Sequence, residues 1–128
     1  MKLFFLAAAG GAIGAGGRYL VNVGVGRVAG VTANFPWPTF LANIVGSFAM
    51  GVVIGLLALK FSGSPELRTF IATGILGGFT TFSAFSADVV VLMERQQTGL
   101  AAFYAASSVV CAVGALLLGL MLVRQVLA

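Results

Sequence analysis

The sequence contains no histidine, a single cysteine, three prolines and only three acidic residues in 128 positions. Each shortage closes off a class of chemistry. Without histidine there is no imidazole proton relay, and with one cysteine and no CxxC pair there is no zinc site of the usual kind. Cys111, alone, forms no intrachain disulfide; its place in an apolar run predicts a buried, inert thiol. No glycine-rich loop ends in Lys-Ser or Lys-Thr, so nucleotide hydrolysis has no phosphate cradle. The acids are Glu66, Asp88 and Glu94, too few and too scattered for paired-carboxylate catalysis. An enzyme is not expected.

Charge is the second shortage. Charged residues make up 8% of the chain, against roughly 25% in a soluble globular domain. The seven basic residues stand one or two at a time near the ends of apolar runs, which suits interfacial anchoring and not nucleic acid. Alternation of apolar and polar residues is missing as well. Runs such as Val52-Val53-Ile54-Gly55-Leu56-Leu57-Ala58-Leu59 exclude the strands of a transmembrane β-barrel.

What the chain has in abundance is apolar sequence, 60% of it. A bilayer needs about 20 apolar residues per helix, and the charges leave four segments of that length: residues 3–26, 40–59, 67–93 and 100–123. The expected architecture is an all-α membrane protein, a single four-helix transmembrane domain over residues 1–128. The N-terminal Met1-Lys2-Leu3-Phe4-Phe5-Leu6 imitates a signal peptide, but apolar sequence continues past Ala9 and the stretch is read as part of the first span.

Small and polar residues fall in register on these helices. Gly10, Gly14, Arg18 and Asn22 recur every fourth residue in the first span, and Asn43, Ser47, Gly51 and Gly55 do so in the second. The glycines read as close-packing sites. Arg18 reads as a structural anchor near the helix end, with anion attraction as the alternative. Asn43 must find a hydrogen bond, either as glue between helices or on a polar pathway. Phe35-Pro36-Trp37-Pro38 cannot continue a helix, and Trp37 suits a membrane–water interface. Ser64-Pro65-Glu66 reads as a helix start, with Ser64 as N-cap, and the short connection makes the second and third spans antiparallel neighbours. In the fourth span Tyr104 and Ser108 share a face that ends at Ala112 and Leu116.

The third span holds the unusual stretch, residues 74–86. Paired glycines and Thr80-Thr81 are poor helix formers, so a break in mid-membrane is expected. Broken backbone is tolerated there only inside protein or beside a polar cavity. Phe79, Phe82 and Phe85 are spaced by three and should share one side, among the hydroxyls of Thr80, Thr81, Ser83 and Ser86. A phenyl ring presents a positive edge, which favours an anion. A broken helix offers free N–H groups on one side of the break and free C=O groups on the other.

Taken together, Gly10-Gly11-Ala12-Ile13-Gly14-Ala15-Gly16-Gly17-Arg18-Tyr19, Asn43-Ile44-Val45-Gly46-Ser47-Phe48 and Gly77-Gly78-Phe79-Thr80-Thr81-Phe82-Ser83-Ala84-Phe85-Ser86 resemble the Fluc (CrcB-type) family of small fluoride channels along essentially the whole chain. The resemblance implies a dual-topology antiparallel homodimer in the bacterial plasma (inner) membrane, with a broken third helix and two pores passing fluoride out of the cytoplasm, conferring fluoride resistance. By the same resemblance, Asn43, Thr81, Phe82, Ser83, Phe85, Tyr104 and Ser108 line the pore. A structural sodium ion is implied at the dimer axis on the backbone carbonyls of Gly77 and Thr80. Two departures stand out: Ala84, where family members commonly have threonine, and Ala112 and Leu116, where the hydroxyl track can continue.

The charge pattern agrees with weak orientation. Lys2, Lys60, Arg68 and Arg124 lie on one side, against Arg27 and Arg95 on the other, or three with Arg18. Two other readings compete: a proton-coupled exporter like the small multidrug-resistance family, for which Asp88 is the only candidate carboxylate, and a non-transporting packing subunit.

Overall fold

The computed structural model describes residues 1–29 and 34–128. Its elements are α1 (Lys2–Ala29), α2 (Trp37–Leu59), α3 (Pro65–Arg68), a π-helical segment (Thr69–Leu76), α4 (Gly77–Phe79), α5 (Phe82–Glu94) and α6 (Thr98–Leu127). Taken as spans, Lys2–Ala29, Trp37–Leu59, Pro65–Glu94 and Thr98–Leu127 are each long and apolar enough to cross a membrane. The third span is assembled from four of these pieces.

Local chemistry sets the helix starts. Pro38 stands in the first turn of α2, where its missing N–H costs nothing. Ser64 caps α3 by accepting from the Leu67 N–H at 3.3 Å, with Pro65 and Glu66 behind it. At the far end of α5 the chain stops on Gln96 with φ 61°, and the Gln97 N–H reaches back to the Leu92 carbonyl at 2.9 Å.

Packing follows the small residues and divides the spans into two tight pairs. α1 runs against the third span: a Cβ on Gly10 would strike the Phe70 carbonyl, and one on Gly14 the Ile75 carbonyl, so backbone lies directly on backbone. α2 runs against α6 in the same way, with Gly51 under the Leu116 carbonyl and Gly119 under that of Phe48. The short turn at Ser62–Ser64 sets α2 and the third span side by side, but the closest contacts of each lie with α6 and α1. Leu116 is thereby committed to helix packing.

Three expectations change at this level. Arg18 lies eleven residues before the end of α1 at Ala29, about 16 Å at helical rise, so it sits inside the helix, about three turns from its end, and is not an end anchor. Cys111 is exposed on the outer face of α6, because the small-residue face of that helix turns to α2. Phe79 is separated from Phe82 and Phe85, since the residues between them are not helical; its ring instead packs beside Gly17 and Gly46.

Candidate functional site

Two residues of the third span are extended: Thr80 (φ −84°, ψ 153°) and Thr81 (φ −151°, ψ 129°). The glycine pair before them is helical. Its lack of side chains serves approach instead, because a Cβ on Gly78 would lie 2.7 Å from the Gly11 carbonyl.

Thr81 is tied down at every polar atom. Its N–H donates to Asn43 Oδ1 at 3.0 Å, and its carbonyl accepts from Asn43 Nδ2 at 3.2 Å. Its Oγ1 accepts from the Ala84 N–H at 3.2 Å, capping α5, and lies 3.1 Å from Ser83 Oγ. These bonds redirect two donors. In a continuous helix the Thr81 N–H would serve the Gly77 carbonyl, and the Ala84 N–H that of Thr80. Both carbonyls lose those partners. Thr80 itself turns back, with its N–H and Oγ1 both donating to the Leu76 carbonyl at 3.0 and 2.9 Å.

Around this bend opens a cavity of about 480 Å³. Asn43, Thr81, Phe82, Phe85 and Ser108 line it, together with Gly77 and Thr80. Ser47 joins them from α2, whereas Ala112 adds only a methyl group. The Phe82 and Phe85 rings lie 5.5 Å apart at 40°. Phe82 is 79% exposed, its ring meeting Phe85 and otherwise open. Ser108 is buried, and its Oγ has no hydrogen-bond partner. A hydroxyl in that position awaits something from the cavity, since an unmet buried polar group is costly.

Two of the sequence candidates lie elsewhere. Tyr104 is fully buried, stacked 5.3 Å from the Phe85 ring, and its hydroxyl donates to Asp88 Oδ2 at 3.1 Å. It backs the Phe85 ring without lining this cavity. Ser83 is exposed on the first turn of α5, held by Thr81. Ala84 points away from the rings, onto a second crevice shared with Asn22, Asp88 and Arg95. Two residues from a ring to its neighbour is about 200° around a helix, so a hydroxyl at position 84 would serve that crevice. Arg18 is half-buried with Nε unpartnered, one residue past Gly17, which seats the Phe79 ring.

Sequence reasoning missed Gly46 and the aromatic wall. A Cβ on Gly46 would strike the Thr80 methyl and sit 3.0 Å from the Phe79 ring, so its absence seats the bend. Phe35 packs edge-on to Phe40 and Tyr104 at 5.0 and 5.4 Å. The only local signal was Gly46 lying three residues past Asn43, on nearly the same side of the helix.

Comparison with known proteins shows the family. The family model described as CrcB-like protein, Camphor Resistance (CrcB), matches residues 5–120. The chain belongs to this CrcB family. Among curated relatives, the fluoride-specific ion channel FluC of Rhodospirillum centenum is 50% identical over 128 residues, covering all of both chains. Those of Mesorhizobium japonicum and Agrobacterium fabrum are 55% and 52% identical over 120 residues, 94% of each chain. The CrcB match therefore takes in all the cavity residues, and it places the chain among multi-pass membrane proteins.

Proposed function

We propose that this chain is a fluoride-selective channel that passively releases cytoplasmic fluoride and so confers fluoride resistance. The observation that carries the reading is the cavity at Thr81, where unspent donors and ring edges meet. Asn43 keeps one N–H beyond the bond to Thr81, and Ser108 keeps its hydroxyl. The N-terminal end of α5, with its unpaired N–H groups and positive dipole end, begins at the same place. Such a set favours a small anion stripped of part of its water, with Phe82 and Phe85 offering ring edges in place of hydration. Transport by a channel needs no titrating group, and Asp88 is satisfied by Tyr104 outside this cavity, which speaks against the proton-coupled alternative.

The functional unit we propose is an antiparallel homodimer of dual topology in the bacterial inner membrane, with two pores. The exposed Phe82 and the open side of the cavity support it, because a second copy supplies the missing wall and buries that ring. The break at Thr80–Thr81 then serves two ends. Its N-terminal side offers the relieved carbonyls of Gly77 and Thr80, hard oxygen donors suited to sodium, a pair from each of two copies. A sodium ion held there supplies a fixed positive charge joining the two third spans. Arg18 adds positive potential beside the break.

Efflux from liposomes containing only the purified chain tests this. Fluoride should leave far faster than from empty vesicles while chloride does not. Asn43→Ala, Phe82→Ile and Phe85→Ile should each slow fluoride by about tenfold or more, a barrier change of about 1.4 kcal/mol. Wild-type leakage at the level of empty vesicles would sink the reading and leave the packing-subunit alternative, and equal chloride flux would sink it in favour of an unselective anion pathway.

A further inference from the structure

We infer that the Asn43 side chain is a two-point clamp on the Thr81 backbone, positioning the pore residues through that residue as well as facing the ion. A primary amide carries one acceptor oxygen and two N–H donors. Here Oδ1 takes the Thr81 N–H at 3.0 Å, and one Nδ2 hydrogen goes to the Thr81 carbonyl at 3.2 Å. The pairing requires an extended residue, whose N–H and C=O point to the same side, and Thr81 is extended. Asn43 thus offers one residue the two bonds that a neighbouring strand would.

The consequence reaches the pore. Without Asn43, the Thr81 N–H and C=O have no side-chain partner, and nothing from α2 holds Thr81 turned away from the Gly77 carbonyl. With it, that carbonyl is relieved and α5 begins at the next residue, so Phe82 and Phe85 inherit their direction from the clamped residue. Gly46, one turn along α2, completes the seat by admitting the Thr80 methyl and the Phe79 ring. Aspartate lacks the donor, leucine lacks both groups, and glutamine is one methylene too long.

The inference rests on the channel reading for its functional half, and the test separates the two. Thr81 is replaced in the full-length chain by its α-hydroxy acid, which turns the amide into an ester, removing the N–H and weakening the Thr80 carbonyl as an acceptor. Unitary fluoride current through single channels in planar bilayers is then measured, because a purely structural loss lowers the number of active channels and not the current each carries. The ester should lower the unitary current about tenfold, or about 1.4 kcal/mol; an unchanged unitary current overturns the positioning role. The clamp itself is read from the melting temperature of the detergent-solubilised chain. The ester should lower it by about 4 °C or more in the wild type and leave it unchanged in Asn43→Ala. Equal losses in both backgrounds overturn the clamp and assign the effect to the weakened Thr80 carbonyl. If the wild type carries no fluoride, the channel reading falls while the melting comparison still decides the clamp.

Discussion

Ser108 shows how a single side chain reveals its task by what it fails to do. Ser108 lines the cavity from α6, and its buried hydroxyl bonds to nothing among the described residues. An unmet buried hydroxyl costs about 1–3 kcal/mol, so Ser108→Ala should leave the melting temperature unchanged or higher. Fluoride efflux should fall several-fold in the same variant. A fall in both would mean that the hydroxyl is structural. Thr81 is the opposite case, with its N–H, carbonyl and hydroxyl all engaged, and it is the residue on which two helix directions depend.

At the scale of elements, the third span holds its shape because α1 lies against its backbone. Bending a helix in hydrocarbon frees polar groups that lipid cannot satisfy. Close contact with α1 on one side and hydrogen bonds from α2 on the other meet that requirement. Gly14 is the most sensitive point of the first contact, since a Cβ there would strike the Ile75 carbonyl and lie 2.8 Å from the Phe79 nitrogen. Gly14→Leu should cost about 1–3 kcal/mol or more, seen as a lower melting temperature and less folded protein in detergent. Gly11→Ala, where nothing lies within 4 Å of the added carbon, is the matched control and should melt like the wild type.

At the scale of the molecule, the weak bias of basic residues bears on the proposed dual topology. One end carries Lys2, Lys60, Arg68 and Arg124, and Glu66 offsets part of it through an exposed pair with Lys2 at 3.4 Å. Exposed pairs of this kind contribute little energy, and with Glu94 beside Arg95 at the other end the acids leave the bias in basic residues unchanged. A cysteine placed at Ser62 in a Cys111→Ala background tests the outcome. An impermeant maleimide should label about half of the chains in intact spheroplasts, as expected where positive charge does not decide topology, and the remainder after lysis. Labelling of all or none of them before lysis would remove dual topology and with it the antiparallel pair.

Some of this was readable one residue after another, because its causes are local. The four spans follow from the length of apolar runs. The start of α3 follows from Ser64, Pro65 and Glu66, which act within one turn. The grouping of Asn43, Phe82, Phe85 and Ser108 was available only through family resemblance. What joins them physically is distance in space across long separations in sequence. Asn43 and Thr81 are 38 positions apart, and no local rule says which peptide an asparagine will hold. Propensity marked both Thr80-Thr81 and the glycine pair as weak places in the third span. Tertiary contact kept the glycine pair helical against Gly11 and left the extended residues at Thr80 and Thr81, where Asn43 offers both hydrogen bonds and Gly46 offers room. The sequence by itself thus determined a four-span membrane protein with polar residues to be housed. The fold decided which of them share a cavity, because a hydrogen bond or a backbone contact is won only when two spans meet at one depth.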